Sequence, residues 1–133
     1  MIIFEKKIQM KTKIEQSETH ICKAIFPNTL NANNTLFGGL AMKWMDEVAY
    51  ITATRYTRKR MFTTKVGDIK FLKPVGENMF IDVVGTIEKV GGVKLLVKVE
   101  IWSEAMFSDD KQLSIQGLFE FAALDDKNKP QRL

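Results

Sequence analysis

A helix that is apolar nearly all round has to be buried, and this chain contains one. From Leu36 or Phe37 to Thr57, the residues Leu40, Met42, Trp44, Met45, Val48, Ala49, Ile51 and Ala53 cover most of a helical circumference. The rest of the chain must be arranged to wrap it. Two carboxylates, Asp46 and Glu47, interrupt the pattern midway. An unpaired buried charge is costly. The pair therefore marks either a solvated edge, with Lys43 and Glu47 paired at i,i+4, or an acid placed for chemistry.

The helix begins at Gly38-Gly39. Each glycine costs a helix about 1 kcal/mol relative to alanine. Both fall where first-turn N–H groups have no intrahelical partner. Lacking side chains, they open those N–H groups to a ligand, or equally let the helix lie close on a sheet. The preceding loop, Asn28 to Thr35, holds Asn28, Asn31, Asn33 and Asn34. Asn and Thr favour turns and helix caps, so Asn34 or Thr35 is expected to cap the helix. Capping accounts for one or two of these residues, not for all four.

On either side the pattern is strand-like. Ile14 to Phe26 reads as a strand stopped by Pro27-Asn28, with His20 and Cys22 on one face. Arg55 to Arg60 forms a basic exit from the helix, either a phosphate-binding patch or a solvated turn at the negative end of the helix dipole. Met61 to Val75 reads as a long strand ending at Pro74, and Met79, Ile81, Val83, Gly85 and Ile87 mark the apolar face of the next. Val93 to Ile101 and Leu113 to Phe121 alternate with period two, and Gly91-Gly92 and Ser108-Asp109-Asp110 supply hairpin turns. Residues 1–13 suit an edge strand, a packed arm or a flexible leader. Residues 14–124 make one domain, and the polar tail 125–133 is expected to fray. One strand, a buried helix and four antiparallel strands imply an α+β fold, a curved antiparallel sheet wrapped round a central helix. Such a sheet has edges that need cover, and pairing two copies covers one, so a homodimer is expected.

Composition narrows the function. Lys and Arg number 20 against 16 Asp and Glu, a net charge of +4. That excess suits an anionic ligand but does not make the dense basic block of a nucleic-acid binder. One cysteine excludes an intrachain disulfide, and one histidine excludes a multi-histidine metal site. No apolar run suits a membrane span, and the first residues do not read as a signal peptide, so a cytoplasmic protein is expected. Gly-x-Ser-x-Gly, Walker and dinucleotide motifs and paired zinc cysteines are absent.

Three features near the helix start can do chemistry together. First-turn N–H groups, with the positive end of the helix dipole, can polarise a carbonyl oxygen. Asp46 can act as general base or nucleophile. Asn31 can orient water or substrate. However, Asp46 lies about 10 Å along the axis from Gly39. One helix cannot bring both groups to the same reacting atom, but two helices related by a two-fold axis can.

The pattern NxNxxxFGG, then MxxMDEVA, FLKPV (Phe71 to Val75) and VEIW, resembles the hotdog-fold acyl-CoA thioesterases of the YciA-like and cytosolic acyl-CoA hydrolase group. The resemblance covers Phe26 to Pro130. It implies a sheet curled round the helix, paired sheets in a homodimer, assembly as a trimer of dimers, and a site at the dimer interface. It further implies Asp46 and Asn31, from opposite protomers, as catalytic residues. Backbone N–H groups of Phe37, Gly38 and Gly39 would hold the thioester oxygen. The implied reaction is hydrolysis of acyl-CoA to a carboxylic acid and CoA, with no metal or cofactor. Met42 is a candidate for the acyl-chain lining and Lys94 for a phosphate contact. The sequence departs from the group at Thr35, Leu36 and Phe37, where an Asp, Asn or His is common, and at Gly91 to Lys94, where Ser or Thr is common. Three rivals remain: a hotdog dehydratase or hydratase, which uses a histidine with an acid and has only the distant His20 here, a non-catalytic acyl-CoA sensor, and a structural or scaffold role.

Overall fold

The computed structural model describes residues 2–133. The elements run α1 (Ile2–Ser17), β1 (Thr19–Ala24), a 3-10 turn (Pro27–Thr29), α2 (Gly38–Thr57), β2 (Arg60–Phe71), β3 (Met79–Val90), β4 (Lys94–Ala105), β5 (Lys111–Leu124) and β6 (Pro130–Gln131). The sheet order is β1-β3-β4-β5-β2, all antiparallel, with β6 also on β5. The sheet curls round α2 as a half-barrel. This is the expected α+β hotdog fold.

The core lies between α2 and the concave face of the sheet. Ala41, Met45, Val48, Ala49 and Ala53 of the helix meet Ile81 and Val83, Val97, Val99 and Ile101, and Phe119 and Phe121. Small helix residues let the axis lie close to the strands. At Gly85 an added Cβ would run into the Thr52 hydroxyl and the Val48 side chain, and at Gly117 into Ile69. Gly85 sets the gap beneath the helix, and Gly117 makes room for Ile69 of β2. The helix stops where Arg58 enters the left-handed region (φ 55), its N–H donating to the Thr54 carbonyl.

Four expectations are corrected. Residues 2–17 form a helix, so Ile14 to Ser17 are not strand and β1 starts only at Thr19. Glu, Lys, Gln and Met outweigh the isoleucines as helix formers there. The strand expected to run to Pro74 ends at Phe71, because Leu72 and Lys73 both donate their N–H to the Ser114 carbonyl and turn the chain away. The tail does not fray. Asp125 Oδ1 accepts from the N–H groups of Lys127 and Lys129, folding Pro130–Gln131 back onto β5. Finally, neither Asn34 nor Thr35 caps α2; the capping position is Phe37, with no side-chain hydrogen bond.

No helix among the described residues is long and apolar enough to cross a membrane. The basic exit is largely committed: Lys59 donates to the Arg132 carbonyl, Arg60 to Asn128, and Arg55 to the Thr19 hydroxyl.

Candidate active site

The loop before α2 is built by Asn31. Its Oδ1 accepts from the N–H of Asn33 (2.8 Å) and of Thr35 (3.2 Å), a side-chain turn that fixes the loop. Asn31 N–H and the Thr35 carbonyl close it at 2.8 Å, and Asn34 takes the left-handed conformation (φ 60) that Asn tolerates. The abundance of Asn thus has a structural cause. It also orients the carboxamide. With Oδ1 occupied, Nδ2 points away, and Thr35 Oγ1 stands 3.0 Å from it. One Nδ2–H remains for a ligand, so Asn31 can serve as a donor.

Because α2 has no side-chain cap, its first N–H groups stay open. Leu40 and Ala41 both donate to the Phe37 carbonyl. Phe37 N–H is committed to the Thr29 carbonyl at 3.0 Å, which removes it from the three expected donors. Gly38 and Gly39 remain. A cleft of about 420 Å³ opens beside Gly38, lined by Asn31, Thr35, Leu36, Phe71, Val75 and Ile115 among others. On the Gly39 side the Phe37 ring lies across the glycine.

Asp46 is half-buried on α2, and Thr63 Oγ1 of β2 donates to its Oδ1 at 3.0 Å. One carboxylate oxygen is thereby anchored and the other left for a substrate or water. Thr63 precedes an irregularity in β2, where pairing shifts between Thr63 and Lys65, and the bulge sets the local aim of the strand. Sequence reasoning missed Thr63. The available signal was the adjacent Thr63-Thr64 pair in an otherwise apolar or charged strand. The alternative Lys43–Glu47 ion pair does not form: the ion pairs among the described residues are His20 with Glu18 and Asp82, and Lys94 with Glu120.

The other candidates stand apart. Met42 is exposed on α2 and does not line the Gly38 cleft. Lys94 lies on the face of β4 away from the helix, 3.5 Å from Glu120. The Thr64 hydroxyl and then Lys94 hold the Glu120 carboxyl below its ordinary range. His20 sits between Glu18 and Asp82 on the β1 edge, far in the sheet order from β2. Among the described residues no three His, Cys, Asp or Glu side chains gather as metal ligands would.

Within one protomer the structure brings Asn31 and Gly38 to one cleft and Asp46 to Thr63, and Asp46 does not line that cleft. A helix with open N–H groups, wrapped by this sheet and carrying an anchored carboxylate, defines a hotdog thioester-processing protein. The model of the thioesterase superfamily matches residues 33–106, more than half of the chain. The chain belongs to that superfamily.

Relatives narrow the group. The chain is 31% identical to YkhA of Bacillus subtilis, described as an uncharacterized acyl-CoA thioester hydrolase, over 88% of this chain and 73% of that one. It is 25% identical to the acyl-CoA thioester hydrolase YciA of Escherichia coli, over 90% and 93%. An acyl-CoA hydrolase from Staphylococcus aureus, solved with butyryl-CoA and CoA, superposes with a TM-score of 0.85 at 28% identity, over 90% of this chain and 73% of that one. That enzyme has also been solved with an asparagine, an aspartate and a threonine each replaced by alanine. The replaced residues are separated by fifteen and then seventeen positions, as are Asn31, Asp46 and Thr63 here.

Proposed function

We propose that this protein hydrolyses acyl-CoA thioesters at a site shared between two copies of the chain. Asn31, Gly38 and Gly39 come from one protomer, and Asp46 and Thr63 from its partner. The observation that carries the reading is the anchored carboxylate of Asp46 on the same helix as two uncapped N–H groups, too far along the axis to serve them in the same chain. The matching separation of the three residues altered in the Staphylococcus aureus enzyme supports it.

In this reading the Gly38 and Gly39 N–H groups, with the Asn31 Nδ2–H, receive the thioester oxygen. Their worth rises as charge develops on that oxygen in the transition state. The free oxygen of Asp46 takes a proton from water as the water oxygen bonds to the thioester carbon. The carbonyl electron pair moves onto oxygen. On collapse the C–S bond breaks, the proton passes to sulfur, and a carboxylic acid and CoA leave. The same placement lets Asp46 attack the carbon directly; the C–S bond breaks, CoA leaves as thiolate, and water then opens the resulting anhydride to the carboxylic acid and free Asp46. A single turnover in water enriched in heavy oxygen separates the two routes: label within Asp46 marks the anhydride. No metal or cofactor enters either route.

We assign the assembly as a homodimer that associates further as a trimer of dimers; the thioesterase of Yersinia pestis, which is hexameric, supports this count (27% identity, TM-score 0.77, 85% of this chain and 92% of that one). The lone free cysteine and the CoA-bearing substrate suit a cytoplasmic enzyme. The deciding experiment is free-thiol release from a panel of acyl-CoAs, from acetyl to palmitoyl with an aryl example. The expected result is release by the wild type and not by Asp46→Ala. Binding without release across the panel would replace the hydrolase by an acyl-CoA sensor.

A further inference from the structure

At about 420 Å³, the cleft beside Gly38 is far larger than a carbonyl oxygen needs. Part of its lining is polar: Asn31, Thr35, Lys73 and the open Gly38 N–H. The rest is apolar. There Val75 and Ile115 are buried, only 2% and 3% exposed, while Phe71 and Leu72 are 58% and 47% exposed within the single chain. The Phe71 ring leans over Gly38, with Cζ 3.5 Å from where a Cβ on that glycine would lie. Packing within one chain does not account for a large aromatic side chain left this exposed beside the reacting end of a cleft.

We propose that this cleft receives the acyl chain of the thioester and that Phe71 sets the chain length it accepts. The inference rests on the hydrolase reading above. The two substituents of a thioester carbonyl held at Gly38 differ in what they need. The pantetheine arm carries amides that require hydrogen-bond partners, and an unpaired amide is costly to bury. Three backbone donors along this wall are already spent: Leu72 and Lys73 N–H on the Ser114 carbonyl, at 2.8 and 3.1 Å, and Leu36 N–H on the Val75 carbonyl. An alkyl chain needs no partner and gains about three- to fourfold in affinity for each methylene it buries. Those same hydrogen bonds tie the Leu72–Val75 loop to β5 and to the start of α2. The walls are therefore preformed, and the side chains decide the usable length. Phe71 is the largest side chain in that lining, and it is exposed.

The test is kcat/KM for the saturated series from acetyl- to palmitoyl-CoA, with the wild type, Phe71→Ala and Phe71→Trp. Because Phe71 is exposed, truncation is expected to leave the fold intact, and an unchanged Tm checks this. Phe71→Ala should move the optimum to longer chains and change the long-to-short ratio by about tenfold or more. Phe71→Trp should move it to shorter ones. The Kd for CoA itself should not change. A loss equal at every chain length, or weakened binding of CoA, would overturn the inference and give the cleft to the pantetheine arm. An active wild type whose variants keep the same optimum would also overturn it, while leaving the hydrolase reading standing. A wild type that releases no thiol from any substrate would remove both.

Discussion

At the scale of single residues, the proposed site depends on two small polar contacts. Thr63 holds one oxygen of Asp46, and the Asn31 carboxamide is held by the loop it organises. Asp46→Asn keeps the shape and removes the base. The expected result is a fall in kcat of about 10²–10⁴-fold with the fold unchanged, read by thiol release alongside circular dichroism. Thr63→Val frees the carboxylate to rotate, and should lower kcat by about 10- to 100-fold with little change in KM, since a misplaced group costs the chemical step and not substrate binding. A large rise in KM with kcat unchanged would instead make Thr63 a binding residue. Asn31→Asp is informative for a different reason. It can keep the turn through its oxygen but loses the Nδ2–H donor, so activity should fall while the Tm holds. A drop in both would mean that the loop, not the donor, had been damaged.

At the scale of elements, the glycine under α2 and the histidine on β1 give separate tests. Gly85→Ala places a methyl group against the Thr52 hydroxyl and the Val48 side chain. Overpacking of this kind is expected to cost about 1–3 kcal/mol, measured by urea unfolding. His20 joins Glu18, in the link after α1, to Asp82 on β3 at 2.9 and 3.1 Å. Its hydrogen bond to Glu18, then that to Asp82, raises its folded pKa above the ordinary 6.5. The stabilisation is therefore full below that ordinary value and disappears as pH rises through the folded value. The Tm difference between wild type and His20→Gln should shrink on going from mildly acidic to mildly alkaline solution; a constant difference would argue against the ion pairs as its source. These elements also show what could be read in the sequence. α2 was legible because its apolar circumference admits one explanation, and β3 to β5 because their alternation does. The first helix was not, since its exposed Ile2, Ile3 and Ile8 follow neither period, and its apolar contact with the core comes only at its end, through Ile14. The β6 return depends on one Asx turn at Asp125, and the loss of Phe37 N–H on a single bond to Thr29. Thr63 escaped notice because its partner is distant in sequence, and only folding brings them together.

At the scale of the whole molecule, the prediction concerns mixing. Asn31→Ala and Asp46→Ala are each expected to be inactive alone. After subunit exchange, half of the dimers are mixed and each mixed dimer has one intact site, so about a quarter of wild-type activity should return. No recovery despite demonstrated exchange would mean that each site draws both residues from one chain. The separation of the Gly38 cleft from Asp46 within a single protomer has a further consequence. On the shared-site proposal, a solitary copy would hold two unfinished halves, neither of which could turn over substrate. Rate per milligram should then decline on dilution, tracking the population of paired chains. The enzyme would act as its own gauge of association, and a cell could silence it by lowering its abundance without inhibiting a single folded copy.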